Sequence, residues 1–476
     1  MSLDSRYNTI AKAIDANTSK FIDRLREAVA IQSISADPGH RQDVIKMIDW
    51  ASKKLQSLGA TTETVPLGKQ TLPDGKTIGL PPVLLATLGN DPQKKTLLVY
   101  GHLDVQPARK EDGWDTEPFQ LVEKSGKLYG RGATDDKGPI MGWINAIETF
   151  QSCKIAIPVN IKFCLEGMEE NGSIGLEEAL KARKDTWLSD VDFTCISDNY
   201  WLGATKPCIT YGLRGLSYFS IEVSACKQDL HSGGFGGSIY EPLADVMWML
   251  AQLADSDGTI LIDGIHDLVA KVTVEERKLY DSIDFDQEAF KRTIGAKKLS
   301  RSSKSEILMN LWRYPSLSIH GVEGAFDGQG PKTIIPAKVT GKFSLRLVPN
   351  MDGETVEKLV LSYLDRLWEK RGSPNAYRAY QNYTGRYWLT DFKHPHYQCG
   401  ARAIKRVFGV APDYTREGCS IPITLTFEEL TGKNVMLLPI GAGDDMAHSQ
   451  NEKLNVKNYI MGTKMLAAYL LELGSL

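Results

Sequence analysis

The chain has 476 residues and a formal net charge of -3, so it is too long for one ordinary core and too evenly charged to argue for nucleic acid or an anionic membrane surface as partner. No run of about 18 apolar residues is present to span a bilayer, and the charged N-terminal stretch lacks the apolar segment of a secretory signal. Seven cysteines, odd in number and without CxxC spacing, read as buried small hydrophobes in a reducing compartment, which makes the protein a cytoplasmic one on this reading.

In chain order, residues 20–31 and 43–58 carry apolar residues at helical spacing, the second run stopping at Gly59. The period then shortens: 83–88 and 96–100 are short apolar runs bounded by Pro, Gly, Asn and Asp, the pattern of strands. Pro139 opens a helical pattern reaching about Phe150, and 159–165, 175–188 and 191–197 read as strand, helix and strand. That alternation predicts an α/β sheet core. From Pro207 to Gly215 the texture changes. Strands at 217–223, 316–322 and 339–348 surround helices at 241–254 and 353–370, which together predict a compact α+β unit. The charged stretch 275–304 reads as a helical, solvated excursion. After Trp388 the α/β texture returns, with a helix at 396–407, a strand at 434–439 and a closing helix from Val456 to about Leu473.

The chemistry follows the apolar runs. His102 comes after 97–100, Glu169 and Glu170 after 159–165, Asp198 after 195–197, and His448 after 435–439. Each is commonplace alone; the position they share, past the carboxyl end of a strand, is where an open α/β sheet gathers its ligands. In Gly101-His102-Leu103-Asp104 an extended backbone turns His102 and Asp104 to one face, and a carboxylate there suits a metal-bound imidazole as holder of its second nitrogen. If two divalent cations sit together, Asp135, Glu170 and Asp198 bring three negative charges and a bridging hydroxide the fourth, so that a dry site comes out neutral. Adjacent side chains do not aim at one metal, so of Glu169 and Glu170 one ligates while the other faces the water as general base.

With Gly130-Arg131-Gly132-Ala133-Thr134-Asp135-Asp136-Lys137-Gly138, Glu166-Gly167-Met168-Glu169-Glu170, Ser197-Asp198-Asn199 and Ala447-His448-Ser449, the sequence resembles the co-catalytic metallopeptidases of the aminoacylase/carboxypeptidase family. Within that family it is similar to the group of cytosolic non-specific, carnosine and Cys-Gly dipeptidases, a likeness that extends to Glu111-Asp112-Gly113-Trp114-Asp115 and Trp312-Arg313-Tyr314-Pro315-Ser316-Leu317-Ser318. The resemblance implies a di-metal catalytic domain, a mixed sheet flanked by helices, formed by residues 1–211 and 389–476. Residues 212–388 would be an inserted α+β lid that makes a homodimer.

The resemblance also implies roles. His102 and Asp198 would hold one divalent metal ion, zinc or manganese, Glu170 and His448 the other, with Asp135 bridging. Asp104 would orient His102 and Glu169 would act as the base. His231 would donate to the scissile carbonyl oxygen, and Thr333, Arg346 and Ser420 would surround the carboxylate end of a dipeptide. The Asp135–Asp136 peptide is expected to be cis. Cys419 and Met446 stand where relatives are expected to carry glycine, and a side chain there either needs an ordinary backbone angle or costs energy. The alternatives are a deacylase of N-acyl amino acids with the same metal residues and a peptide-binding relative without activity. No GxSxG elbow supports a serine hydrolase.

Overall fold

The apolar runs become the middle of a nine-stranded mixed sheet in a computed structural model that describes residues 2–476. Its strands lie in the order Thr61–Val65, Val83–Leu88, Asn160–Glu166, Thr96–His102, Phe193–Ile196, Val435–Leu437, Cys208–Leu213 and Trp388–Leu389, with Asp413–Glu417 joined to Cys208–Leu213. The four central strands, Asn160–Glu166, Thr96–His102, Phe193–Ile196 and Val435–Leu437, are mutually parallel. Their carboxyl ends therefore share one edge, from which the candidate ligands project.

Thr96–His102 is buried on both faces, as a central parallel strand must be. Leu97 and Val99 pack into the larger apolar cluster, with the helices Thr18–Val29, Lys137–Ser152 and Val456–Leu473. Leu98 and Tyr100 face a smaller cluster capped by Leu176–Lys181 and Pro422–Thr431. A second, four-stranded sheet is entirely antiparallel, in the order Ser316–Glu323, Lys338–Leu347, Gly215–Ser224 and Ala376–Gly385. It has its own core, where Phe219, Ile221, Phe343 and Leu345 meet Val246 and Leu250 of Pro242–Ala251 and Val356 and Val360 of Gly353–Arg371. The predicted combination of an α/β sheet and an α+β unit is the architecture observed.

The structure differs from the sequence reading in several elements. Pro139 is the third residue of the helix Lys137–Ser152 rather than its first, still within the turn whose N–H groups have no helical partner. The helix expected over 175–188 stops at Lys181 and gives way to turns. Thr61–Val65, Cys208–Leu213, Ala376–Gly385 and Asp413–Glu417 are strands that periodicity did not reveal. The excursion 275–304 is helical, but it also buries Tyr280 against Leu308 and Trp312. All seven cysteines are free, and among the described residues no helix is long and apolar enough to cross a membrane.

Candidate metal centre

His102 is the last residue of the Thr96–His102 strand, and the glycine before it has a steric reason. A Cβ at Gly101 would stand 2.1 Å from Ile140 Cδ1 and 2.5 Å from Asp136 Oδ2, so only glycine lets the strand end pass the start of the Lys137–Ser152 helix. Asp135 arrives from the loop before that helix, through a cis Asp135–Asp136 peptide as expected. Glu169 and Glu170 occupy the short turn after Asn160–Glu166, Asp198 follows Phe193–Ile196, and His448 lies in the loop after Val435–Leu437.

These residues converge in two groups that share Asp135. His102, Asp135 and Asp198 form one, Asp135, Glu170 and His448 the other, with the candidate ligand atoms of each group within 4.8 Å of one another. Asp135 Oδ1 lies 3.0 Å from His102 Nε2, while its Oδ2 lies 3.0 Å from His448 Nε2. Asp198 Oδ1 is 3.5 Å from His102 Nε2, and Glu170 Oε2 is 2.9 Å from His448 Nε2. One carboxylate thus presents an oxygen to each imidazole, the arrangement a bridging ligand needs.

The electrostatics favour cations. Burial pushes the Asp198 carboxyl up to about 6 and Glu169 well above the usual carboxylate range. Burial acts the same way on Asp135, but hydrogen bonds from His102 and His448 outweigh it and hold that carboxyl well below its ordinary value. The bonds to Asp135 and Glu170 lift His448 to about 10. The carboxyls of Asp104, Asp135, Asp136, Glu169, Glu170 and Asp198 outnumber the imidazoles, and the buried Asp136 Oδ1 has no hydrogen-bond partner. Mixed imidazole and carboxylate donors with surplus negative charge fit divalent metal ions.

Asp104 behaves differently from the expectation in one respect. His102 Nδ1 donates to the main-chain carbonyl of Asp104 at 3.1 Å, while the carboxylate Oδ1 is 3.5 Å away. The carboxylate accepts instead from the main-chain N–H groups of Glu169 and Glu170, at 3.2 and 3.1 Å, and so positions the turn bearing both glutamates. Sequence reasoning also missed Glu452. It is wholly buried and accepts from Arg131 Nη1 at 2.7 Å and from the main-chain N–H groups of Gly132, Thr134 and Asp135. Asp445 accepts from the Thr134 hydroxyl at 2.8 Å, so the His448 loop and the Asp135 loop are tied together at two points. No local signal marks either residue.

The expected substrate residues form two pairs. Exposed His231 has its Nε2 3.4 Å from Thr333 Oγ1, the residue just before the strand Ile334–Ile335 that pairs with Leu230–His231. Arg346 Nη1 is 3.5 Å from Ser420 Oγ, whose hydroxyl donates to the Arg214 carbonyl. Among the described residues no hydrogen bond or ion pair joins either pair to the metal-ligand set. Cys419, beside Ser420, is exposed and not in the left-handed region. Met446 is in that region, at φ 58°, as is His448 at φ 60°, so Met446 carries a backbone cost of about 1–2 kcal/mol that a glycine would not.

Comparison with known proteins gives a consistent result. The chain is 51% identical over 463 residues to the Beta-Ala-His dipeptidase of Mus musculus, covering 97% of this chain and 94% of that one. It is 48% identical over 476 residues to the Cys-Gly metallodipeptidase dug1 of Schizosaccharomyces pombe, covering 100% and 99%. Among solved structures, the di-peptidase Dug1p from Saccharomyces cerevisiae superposes with a TM-score of 0.90 at 47% identity over the whole of both chains. Human carnosine dipeptidase 1 gives 0.90 at 48% over 99% of each. Residues 98–472 match the profile of peptidase family M20/M25/M40, and with full-length relatives near 50% identity the chain belongs to that family of metal-dependent peptide-bond hydrolases.

Proposed function

We propose that this protein is a dipeptidase acting on unblocked dipeptides, Cys-Gly among them, with two divalent metal ions per chain. The observation that carries the reading is Asp135, whose two oxygens face His102 and His448 separately, in a chain alike over its length to named dipeptidases. His102 and Asp198 would hold one ion, Glu170 and His448 the other, and Asp135 would bridge them. Bound there, such ions polarise a carbonyl and make a hydroxide available at neutral pH. Glu169, held by its main-chain N–H to Asp104, takes the proton of the attacking water and passes it to the leaving amine. Asp104 fixes both the His102 tautomer, through its carbonyl, and the glutamate turn, through its carboxylate.

Arg346 with Ser420 matches the carboxylate end of the substrate with a guanidinium fork, and Thr333, paired with His231, would approach that end together with it. The catalytic unit is residues 1–211 with 389–476, and 212–388 is an inserted unit that covers the site and pairs two chains. Every strand of the antiparallel sheet lies within the inserted stretch and packs on its own core, which supports the division. His231 would come from the partner subunit, since in its own chain it pairs only with Thr333 and Gly233.

The test is a substrate panel run alongside metal analysis of the purified protein. Free Cys-Gly and β-alanyl-histidine are expected to be cleaved with two divalent ions bound per chain, and their N-acetylated forms to resist. Cleavage of N-acetyl amino acids with free dipeptides left intact would make the protein a deacylase instead.

A further inference from the structure

A second buried constellation lies away from the metal centre, where the helical excursion meets the main sheet. Glu276 and Tyr280 are four residues apart on the helix Val274–Ser282 and so share a face. Glu276 Oε1 accepts from Arg313 Nε at 2.6 Å and from Arg416 Nη2 at 2.9 Å. Two guanidinium groups therefore share one carboxylate oxygen. Arg313 caps the helix Lys304–Trp312, and Arg416, in the strand Asp413–Glu417, lies with its Cζ 5.1 Å from the centre of the Tyr211 ring. Arg313 is 3% exposed, Arg416 8% and Tyr280 1%.

Charge and hydrogen bonding are both incomplete here. Two arginines, always protonated, face one carboxylate, which leaves one positive charge in a dry setting. The strand's other carboxylates are engaged elsewhere: Asp413 pairs with Lys206 at 2.7 Å, and Glu417 accepts from Asn199. Burial pushes the phenols of Tyr211 and Tyr280 up, so neither supplies the missing negative charge. Arg313 Nη1, Arg416 Nε, Arg416 Nη1 and the Tyr280 hydroxyl are all buried without a partner. Buried donors left in this way call for an acceptor, water or ion, and the surplus charge selects an anion.

We propose that Arg313, Arg416 and Tyr280 enclose a binding site for a small inorganic monoanion, chloride in size and charge, that completes the junction between the excursion and the sheet. The site is distinct from the metal centre and does not depend on the substrate assignment. The anion would brace the strand Asp413–Glu417, after which the chain leads to Ser420.

The probe is bromide, with the metal-loaded full-length protein. Crystals grown in bromide should show an anomalous peak within hydrogen-bonding distance of Arg313 and Arg416. In solution, raising bromide at constant ionic strength, with gluconate making up the balance, should raise Tm by several degrees through binding to the folded state alone. Tyr280→Phe keeps the ring's packing but removes one donor, and should shrink that rise. Ordered water in place of the peak overturns the site. A halide-dependent rise retained in full by Tyr280→Phe overturns it as well.

Discussion

Glu169 and Glu170 are chemically identical neighbours that the geometry separates. Glu170 Oε2 touches His448 and also accepts from Gln106 Nε2 at 2.8 Å, while the Glu169 carboxylate stands beside His102 and Asp198. Glu169→Gln is therefore expected to keep both metal ions yet lose about 10²–10⁴-fold in turnover, the usual weight of a general base. Glu170→Ala should instead lose occupancy of one ion. Metal analysis beside steady-state rates checks this, and metal missing from Glu169→Gln with metal intact in Glu170→Ala would reverse the two roles. At this scale His102, Glu170, Asp198 and His448 were legible because each follows an apolar strand in the sequence, so the fold's own logic delivers them to one edge; Asp135 comes instead from the loop before the helix Lys137–Ser152, and only the family motif marked it. Glu452 was not, since Arg131, which it holds, lies 321 residues earlier and nothing local sets a buried glutamate apart from a solvated one. The second duty of the Asp104 carboxylate, accepting from the Glu169 and Glu170 N–H groups, was hidden for a related reason: period-two alternation gives the direction of a side chain toward His102 but not every donor near it.

Elements were readable where one face is plainly apolar. The helices Gly353–Arg371 and Val456–Leu473 and the strand Val83–Leu88 came out within a residue or so, because burial imposes their periods. Ala376–Gly385 escaped because it is an edge strand without a buried face, and Thr61–Val65 because only its last residue is buried. Packing between elements makes a further prediction. His396, at the start of Pro395–Phe408, lies 2.8 Å by Nδ1 from Asn434 Oδ1 and 2.6 Å by Nε2 from the Tyr469 hydroxyl, joining that helix to the sheet and to Val456–Leu473. Burial lowers its pKa from 6.5 to about 3. Below about pH 6.5 the unfolded chain takes up this proton and the native one does not, so stability falls on acidification until the native histidine also titrates. By pH 5 the loss from this residue should be about 2 kcal/mol. His396→Gln should flatten the slope between pH 7.5 and 5 in urea unfolding, and an unchanged slope would remove His396 as the cause. Any acid-labile metal binding is common to both proteins and cancels in the comparison.

At the scale of the whole molecule, the incomplete surroundings of His231 lead to a test of assembly. The residue is exposed, sits on the unit between the two halves of the main sheet, and has no partner among the metal ligands of its own chain. If a partner subunit receives it, each active site is built from two chains and neither monomer is complete. A donor to the developing oxyanion is worth roughly 2.7 to 4 kcal/mol, so His231→Ala should cost on the order of a hundredfold or more in turnover while both metal ions stay bound. The direction of donation follows from mixing. In a heterodimer of Glu169→Ala and His231→Ala chains, donation in trans gathers both lesions in one site and leaves the other intact, so activity returns from two nearly inactive parents. Were His231 to serve its own chain, every site would keep one lesion and the mixture would stay inactive. Co-expression with two affinity tags isolates the heterodimer, and absence of recovery in that verified species would end the case for a shared active site.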